Sequence, residues 1–273
     1  VYDNSRKSTR HDHEFRILQW NTKSITQRKP SLKKLVNATK PDVVVIQETS
    51  LNLSKSTPQL KNYFVIRTDR QHAKGASYKE QQGGGLLTYI HKRSKHIADW
   101  ELVESQRDMR GKEIGFQHVS IRLHSDERIG ICHFYRPDFR IKAESLYSNI
   151  CTAIKKYDFM IVIGDLNCST PKLGYKRISS ASDSAAFEEF LADSNLDLLE
   201  YRKSHYNAAS KSFTRPDVTL IKGFSDSAVE LRGFYGSDHQ AILSKLILAS
   251  DNSKQKTAKR TASWNFQKTD QDK

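Results

Sequence analysis

The sequence lacks a long apolar run, since none of its apolar stretches reaches the roughly eighteen residues that a membrane-spanning helix needs. Residues 1–13 are polar and lack the apolar segment of a secretory signal peptide. Cysteine is scarce as well. Cys132, Cys151 and Cys168 have no metal-ligand spacing, and their odd number argues against a disulfide framework. These absences argue against membrane insertion and a disulfide scaffold, and we expect an intracellular protein with no membrane partner.

Acidic residues are too few to balance the basic ones. The 273 residues include 45 Lys and Arg but only 31 Asp and Glu, which gives a formal net charge of +14. Such an excess favours polyanionic partners, although a solvated basic surface is the simpler explanation. Basic residues recur through the body of the chain and are not confined to its ends. The charge therefore favours nucleic acid as the partner.

Strand and helix patterns alternate along most of the chain and predict an α/β fold. Helices are predicted at 31–40, 142–156 and 183–194, where apolar residues recur at helical spacing. Strands are predicted at 15–20, 43–46, 63–67, 86–91, 114–123, 128–135, 159–163, 217–221, 228–234 and 240–247. This number of strands fits a four-layer α/β sandwich, with two packed mixed β-sheets flanked by helices.

The polar ends of the sequence suggest where this domain begins and ends. We expect a flexible lead at 1–14, one domain at 15–248, and a disordered basic tail at 249–273. The first residue is Val1 and not Met, so we expect a piece of a longer polypeptide.

The most informative segment is 161–167, an apolar run that ends in Gly-Asp-Leu-Asn. Side chains alternate across a strand, so Asp165 and Asn167 point the same way at its C-terminal end. The carboxylate can hold a metal ion or a water, and the amide can hold a phosphate oxygen. A Gly-Asp pair is also an ordinary turn, so this segment needs support from other strand ends.

Other apolar runs also end in reactive side chains. Asn21, Glu48 and Tyr135 follow three of the predicted strands, and two later loops add Asp217 and Asp238-His239. Each has a structural explanation by itself, as a turn residue, a solvated strand end, a core aromatic or a hydrogen-bonded loop histidine. Their occurrence together is much harder to explain in this way.

Six segments in this order resemble the endonuclease/exonuclease/phosphatase superfamily, and most closely the endonuclease domain of non-LTR retrotransposons. The resemblance covers residues 15–247. Its segments are 17–21 (ILQWN), 41–49 (PDVVVIQET), 134–137 (FYRP), 163–167 (IGDLN), 216–220 (PDVTL) and 237–239 (SDH).

The resemblance implies a role for each of these polar residues. Glu48 would bind Mg²⁺, or Mn²⁺ as the alternative, with help from Asn21 and with Asp238 supporting the metal. Asp165 would orient or deprotonate the attacking water, and Asn167 would hold that water or the phosphate. His239, oriented by Asp217, would handle a proton or bind phosphate, and Tyr135 would contact the phosphate or the leaving oxygen.

Basic and hydroxyl side chains near these motifs are expected to contact DNA, through loops around 70–82, 169–182 and 205–215. Lys23 departs from the abasic-site repair relatives, which carry an aspartate there, and a lysine attracts phosphate but cannot bind Mg²⁺. Ser204 lies where retrotransposon relatives often carry a threonine that touches a phosphate. The expected DNA contacts are Lys23, Arg136, Lys172, Arg177, Ser204 and Arg215.

We therefore expect a metal-dependent endonuclease that nicks DNA and leaves a 3′-hydroxyl, which would prime reverse transcription of a retroelement. By the same resemblance, a reverse transcriptase domain would follow in the polyprotein, and the protein would act in the nucleus as a monomer. Two alternatives stay open. One is a phosphatase or phosphodiesterase acting on inositol phosphates or sphingomyelin, and the other is a catalytically silent nucleic-acid-binding module.

Overall fold

The computed structural model describes residues 13–71, 83–108, 112–138 and 140–248. The predicted tail, all but the last two residues of the predicted lead, and most of the predicted DNA-contacting loop at 70–82 lie outside the described residues. None of the helices that the structure describes has the length and hydropathy needed to cross a membrane.

Strands account for most of the regular structure in the described residues. The α-helices are α1 (Lys29–Thr39), α2 (Glu144–Ile154) and α3 (Ala181–Ser194), and short 3₁₀ helices lie at Ile25–Arg28 and Pro171–Leu173. The strands are β1 (Glu14–Asn21), β2 (Val43–Gln47), β3 (Tyr63–Thr68), β4 (Leu86–His91), β5 (Ile97–Gln106), β6 (Gly115–Leu123), β7 (Arg128–Tyr135), β8 (Phe159–Asp165), β9 (Asp197–Leu198), β10 (His205–Asn207), β11 (Ser212–Thr214), β12 (Asp217–Lys222), β13 (Asp226–Leu231) and β14 (Ile242–Ile247).

The strands form two six-stranded sheets and one small hairpin. The first sheet has the order β13-β14-β1-β2-β4-β3, and the second has the order β5-β6-β7-β8-β12-β9. Strands β1 and β2 are parallel, as are β7 and β8, whereas the other pairs are antiparallel. Both sheets are therefore mixed, and β10 pairs with β11 outside them.

The helices cover the outer faces of the two sheets. Branched aliphatic side chains such as Ile17, Val45, Ile131 and Ile161 fill the space between the sheets. Helix α1 packs on the outer face of the first sheet, and α2 and α3 pack on the outer face of the second. Because each sheet buries both faces, its central strands consist of nearly continuous apolar residues. The four-layer sandwich predicted from the sequence is confirmed.

A few strands were not predicted. Strand β5 is an edge strand whose residues are mostly exposed, so it lacks the apolar alternation that marks a half-buried strand. Strands β9, β10 and β11 are only two or three residues long, too short to produce a periodic pattern. The ten predicted strands and the three predicted helices are all present, within a few residues of their predicted ends.

One buried polar network joins the two sheets through apolar surroundings. Gln47 Nε2 donates to His133 Nε2 at 2.8 Å, and His133 Nδ1 lies 3.0 Å from Thr88 Oγ1. The Thr88 hydroxyl donates to Gln117 Oε1 at 2.7 Å, and Gln117 Nε2 donates to Thr68 Oγ1 at 2.8 Å. Burial lowers the pKa of His133 to about 3, so its imidazole is neutral and can accept from Gln47.

Candidate active site

The strand ends that carry the predicted site residues meet at one end of the sandwich. In the second sheet, Tyr135 on β7 pairs with Asp165 on β8, and Asp165 pairs with Asp217 at the start of β12. In the first sheet, β1 ends at Asn21, and Glu48 follows the end of β2. Residues directly opposite each other in a sheet share a face, so the pairing itself aligns Tyr135, Asp165 and Asp217 in one row.

Asn21 connects the carboxylates of the two sheets. Its side-chain Nδ2 donates to Glu48 Oε1 at 2.8 Å and to Asp165 Oδ2 at 2.9 Å. Its Oδ1 accepts from the backbone N–H of Lys23 at 3.1 Å. Because carboxylates only accept, the amide nitrogen must face them. Asn21 therefore positions Glu48 and Asp165 through its NH₂ group, and its role at the metal stays a prediction.

The chain adopts left-handed backbone conformations beside this site. Glu48 has a φ of 50° and Asn167 a φ of 48°, a region that non-glycine residues seldom occupy. Backbone hydrogen bonds hold the turn after β2, because Thr22 N donates to Gln47 O at 3.0 Å and Ser24 N donates to Glu48 O at 2.8 Å. Such conformations persist where the surrounding contacts enforce them.

The Asp165 carboxyl group is buried and has an altered affinity for protons. Oδ1 accepts from the backbone N–H of Asn167 at 3.1 Å, and Asn167 Nδ2 donates to the carbonyl of Arg136 at 2.8 Å. Burial raises the pKa of Asp165 to about 7; the nearby His239 opposes this rise, and Asp217 and Glu48 add to it. Asp165 can therefore exchange a proton near neutral pH.

His239 and Asp217 form a hydrogen-bonded pair. His239 Nδ1 donates to Asp217 Oδ2 at 2.9 Å, and the same oxygen accepts from the Ser204 hydroxyl at 2.5 Å. On its other side, His239 Nε2 lies 3.9 Å from Asp165 Oδ2. Burial alone would lower the pKa of His239, but Asp217, Asp165 and Glu48 raise it to about 10. The imidazole is therefore a cation at neutral pH.

The backbone of His239 is fixed as firmly as its side chain. Trp20 Nε1 donates to the carbonyl of His239 at 3.1 Å, and the His239 N–H donates to Ser237 Oγ at 3.2 Å. The Ser237 hydroxyl donates in turn to the backbone carbonyl of Asn21 at 2.7 Å. Contacts to β1 thus set the distance between the imidazole and the carboxylates.

A cleft of 670 Å³ opens beside Glu48 and is lined by Lys23, Arg70, Gly83 and Tyr135 among others. The Tyr135 hydroxyl bonds to the side chain of Glu48, and burial followed by the Glu48 charge raises the pKa of Tyr135 well above its usual value. Arg70 pairs with Asp108 at 2.5 Å. The backbone of Gly83-Gly84-Gly85 passes this guanidinium so closely that a Cβ on Gly84 would lie 2.3 Å from Arg70 Nε. Because Gly83 and Gly84 have no Cβ, the Arg70 guanidinium fits against their backbone in the cleft.

Asp238 lies at the rim of the site. Its Oδ2 pairs with Lys23 Nζ at 2.6 Å and lies 4.0 Å from His205 Nε2. Burial is the largest single influence on the pKa of Asp238 and would raise it, but the hydrogen bond from Lys23 and the charges of His239 and Lys23 together lower it. Two groups bring potential metal-ligand atoms within 4.8 Å of one another: Asp165, Asp217 and His239, and His205, Asp238 and His239.

Three predicted DNA contacts are buried and already occupied, which corrects their assignment. The guanidinium of Arg136 is buried and makes two bonds to Asp183, at 2.8 and 2.9 Å. Arg215 donates to the carbonyl of Leu199, and its guanidinium lies 4.2 Å above the Tyr201 ring. Ser204 is fully buried and donates to Asp217, as described above. These side chains have no surface on which DNA can contact them.

Lys172 and Arg177 are exposed, as a phosphate contact requires. Both lie between β8 and α3, in the loop that leaves the sheet at the same end as Asp165. The exposed Lys23 side chain also faces this end, although it is paired with Asp238.

One site residue was given no role from the sequence, and another was expected only as one of several phosphate contacts in the predicted DNA-binding loops. His205 follows Ser204, and its ring stacks obliquely on His239 with 4.5 Å between the centroids. Arg70 lies in the cleft beside Glu48, within the loop region predicted to contact DNA. Neither residue stands at the end of a predicted apolar strand, so the pattern that identified Asp165 does not reach them.

A family model described as endonuclease-reverse transcriptase matches residues 129–243. None of the curated proteins compared with this chain matches it in sequence. Among solved structures, 112 chains match this protein, so its fold is widely shared.

Several similar structures are nucleases. The endonuclease domain of TRAS1, a telomere-specific non-LTR retrotransposon, is 17% identical, with a TM-score of 0.61 over 86% of this chain and 99% of that domain. The AP endonuclease LMAP from Leishmania major is 15% identical, with a TM-score of 0.65 over 91% and 93%. The 3′-5′ exonuclease NExo from Neisseria meningitidis is 15% identical, with a TM-score of 0.59 over 85% and 100%.

At these identities the solved structures establish the fold and not the substrate. The order of the motifs, the family match and the shared sandwich agree with one another. They confirm the predicted resemblance to the endonuclease/exonuclease/phosphatase superfamily, and the solved structures confirm it at the level of the fold.

Proposed function

We propose that this protein is a metal-dependent endonuclease that nicks DNA and leaves a 3′-hydroxyl. The observation that carries the proposal is a continuous set of contacts at one end of the sandwich, which joins Glu48 in the cleft to Asp165 and to the His239–Asp217 pair. Hydrolysis of a phosphodiester needs a base for the attacking water, positive charge on the phosphate and a stabilised leaving oxygen. This end of the sandwich has a group suited to each task.

Asp165 is the proposed base. A general base works best when its pKa lies near the operating pH, and the pKa of about 7 meets that condition. Asn21 and the N–H of Asn167 fix both carboxylate oxygens, so the group is held in one orientation. Asn167 itself uses its NH₂ to bind the carbonyl of Arg136, which leaves its amide oxygen for the water or the phosphate.

His239 is the proposed phosphate-binding cation and proton donor. Asp217 holds the Nδ1 proton, so Nε2 is the nitrogen that faces the reacting groups. A pKa of about 10 keeps the ring charged at neutral pH, where it can stabilise the negative charge of the transition state. Tyr135, whose hydroxyl stays protonated because its pKa is raised, can donate to the leaving oxygen or to the phosphate.

Glu48 is the proposed ligand of the divalent metal ion. Its carboxylate fits Mg²⁺, which prefers one or two carboxylates, and the bond from Asn21 fixes the orientation of that carboxylate. When bound, the ion would neutralise phosphate charge and lower the pKa of a coordinated water. Asp238 would support the site at its rim, where Lys23 now neutralises it.

The surface around the cleft fits a DNA strand. Lys23 and Arg70 line the cleft, and Lys172 and Arg177 are exposed beside it. The hairpin of β10 and β11 carries two partly exposed aromatic rings, Tyr206 and Phe213, with centroids 5.0 Å apart. Such rings can stack on bases or pack in a groove, and the hairpin adjoins the site through His205.

The more specific part of the proposal is a role in retrotransposition. It is supported by the family match to an endonuclease-reverse transcriptase and by the likeness to the TRAS1 domain. On this proposal a monomeric domain acts on nuclear DNA, and a reverse transcriptase domain of the same polyprotein extends the 3′-hydroxyl.

A supercoiled-plasmid assay tests the proposal. Wild-type protein with Mg²⁺ should convert supercoiled plasmid to open circles that a DNA polymerase can extend, and EDTA should abolish the conversion. His239→Ala should reduce the rate by about 10²–10⁴-fold. Lys156→Ala, which changes an exposed residue far from the cleft, should not change it, and circular dichroism should show that both variants fold.

Two outcomes would contradict the proposal. If no plasmid is nicked but inositol phosphates release phosphate, the protein is a phosphatase of this superfamily. If wild type and His239→Ala bind DNA equally and neither nicks it, the protein is a silent binding module.

A further inference from the structure

A second groove lies at the end of the sandwich opposite the catalytic cleft. Its volume is 1010 Å³, and it is lined by residues at the start of β1 and β2 and at the end of β4. Strand β1 runs from Glu14 in this groove to Asn21 in the catalytic site. At about 3.3 Å per residue, the two sites are about 23 Å apart. This distance exceeds the Debye length of about 8–10 Å at moderate salt, so the sites are electrostatically separate.

Positive charge dominates the groove. It comes from segments that are distant in the sequence: α1, the residue that ends it, the loop before β3, and the turn between β4 and β5. The basic residues lining the groove are Arg16, Lys33, Lys40, Lys61, Arg93 and Lys95. Lys33, Lys61 and Arg93 are exposed, and none of them forms an ion pair with any residue that the structure describes.

The two carboxylates that line the groove are already engaged. Asp42 accepts from the backbone N–H of Arg16 at 2.8 Å and from the Ser94 hydroxyl at 2.5 Å. Glu14 pairs with Arg16 at 2.7 Å. Neither carboxylate pairs with the exposed Lys33, Lys61 or Arg93, and the six basic residues of the lining outnumber the two acidic ones. The apolar residues of the lining, Val36, Pro41, Leu60 and Tyr63, are all buried, so the exposed groups of the groove are mostly basic and amide side chains, which suit an extended anion.

We infer that this groove binds the sugar–phosphate backbone of a second nucleic-acid segment, one that is not being cut. Cations spread along a groove favour a linear polyanion, because each contact to a phosphate releases condensed counterions. The amides of Asn37, Gln59 and Asn62 also line the groove and can donate to phosphate or sugar oxygens. The inference goes beyond the proposed nicking activity, which needs only the catalytic end.

The test is the number of short single-stranded oligonucleotides that one protein molecule binds. Binding is followed by sedimentation and by isothermal titration at low salt, in EDTA so that no strand is cut. Wild-type protein should bind two oligonucleotides, one at each end. The triple variant Lys33→Glu, Lys61→Glu, Arg93→Glu should bind one, with affinity for the second reduced on the order of 10–100-fold.

A charge-matched variant separates the groove from net charge. Lys142→Glu, Lys155→Glu, Lys156→Glu changes exposed lysines that flank α2, the helix on the outer face of the other sheet, and lowers the net charge of +14 by the same amount. It should still bind two oligonucleotides. If both triple variants bind the same number, or if wild type binds only one, the inference is wrong.

DNA and RNA oligonucleotides of one sequence identify the source of the phosphates. Equal binding at the second site supports contacts to the backbone alone, and tighter binding of one supports contacts to its sugar as well. Plasmid nicking by the groove variant, at saturating substrate, should match wild type. If the wild-type protein does not nick plasmid, the proposed function is wrong, but the number of oligonucleotides bound still tests the groove.

Discussion

The two ends of the sandwich use charge in opposite ways. At the catalytic end, Asp165, Asp217 and His239 are buried and lie within hydrogen-bond or ion-pair distance of one another. At the far end, Lys33, Lys61 and Arg93 stand in solvent. Burial and short contacts shift the pKa values of Asp165 and His239, whereas solvent screens exposed cations and leaves them suited to a diffuse polyanion.

This difference shows that catalytic groups and phosphate-binding groups need different structural surroundings. A reactive group needs partners that fix its orientation and its protonation, so it must be enclosed by several elements. A phosphate-binding surface needs only cations with few competing carboxylates. Substitutions of enclosed polar groups should therefore change rates or stability, and those of exposed cations should change affinity and salt dependence.

Glu48→Gln should have the largest effect, because it removes the charge of the proposed metal ligand but keeps the shape of the side chain. We expect nicking to fall by about 10²–10⁴-fold with little change in the thermal melting curve. The groove variant Lys33→Glu, Lys61→Glu, Arg93→Glu is the comparison, and it should keep its rate at saturating plasmid. Comparable rate losses in both variants would remove the distinction between the two ends.

Arg136→Ala should act on stability and not on DNA binding. Removing one partner of a buried pair leaves Asp183 uncompensated, so the free energy of unfolding in urea should fall by about 3–5 kcal/mol. Arg177→Ala, an exposed arginine at the same end, should leave stability unchanged. If Arg136→Ala instead keeps its stability and lowers the salt dependence of DNA binding, the side chain contacts phosphate after all.

His133 should make the protein less stable in acid. Its pKa is about 3 in the fold and about 6.5 when unfolded, so the unfolded chain binds more protons between these values. Stability should therefore fall as the pH drops below 6.5, by about 2 kcal/mol at pH 5. Urea unfolding of His133→Gln at pH 7 and pH 5 should lack this part of the loss.

His124→Gln, which changes an exposed histidine, is the control and should retain the wild-type pH dependence. An identical pH dependence in all three proteins would show that the buried network between the sheets does not resist protonation.

Lys172→Gln and Arg177→Gln should have the smallest effects. Each should weaken DNA binding several-fold and reduce the slope of log affinity against log salt by about 1, as the loss of one phosphate contact does. Fluorescence anisotropy in EDTA at several salt concentrations measures this slope. If the slope is unchanged in both variants, DNA does not contact Lys172 or Arg177.

Most of the fold was predictable because its signals are local. The apolar run of β2 and the helical spacing of Leu32, Leu35 and Val36 each occur within a dozen residues. Strand β5 escaped prediction because an exposed edge imposes no apolar alternation. Arg136 and Arg215 were wrongly predicted because a basic residue near a motif has the same sequence signature whether it faces DNA or a buried acceptor.

The sequence by itself determined the order of the elements and the identity of the polar residues that end them, including Asp165, Asn167 and Glu48. Only the tertiary structure decided what these residues touch. The bond from Asn21 to Asp165 joins residues 144 positions apart, and that from His239 to Asp217 joins the segment before β14 to the start of β12 in the other sheet. Protonation depends on distance and burial, which nonlocal packing sets. The chemical groups were therefore evident in the chain, whereas their reactivity arose only from folding.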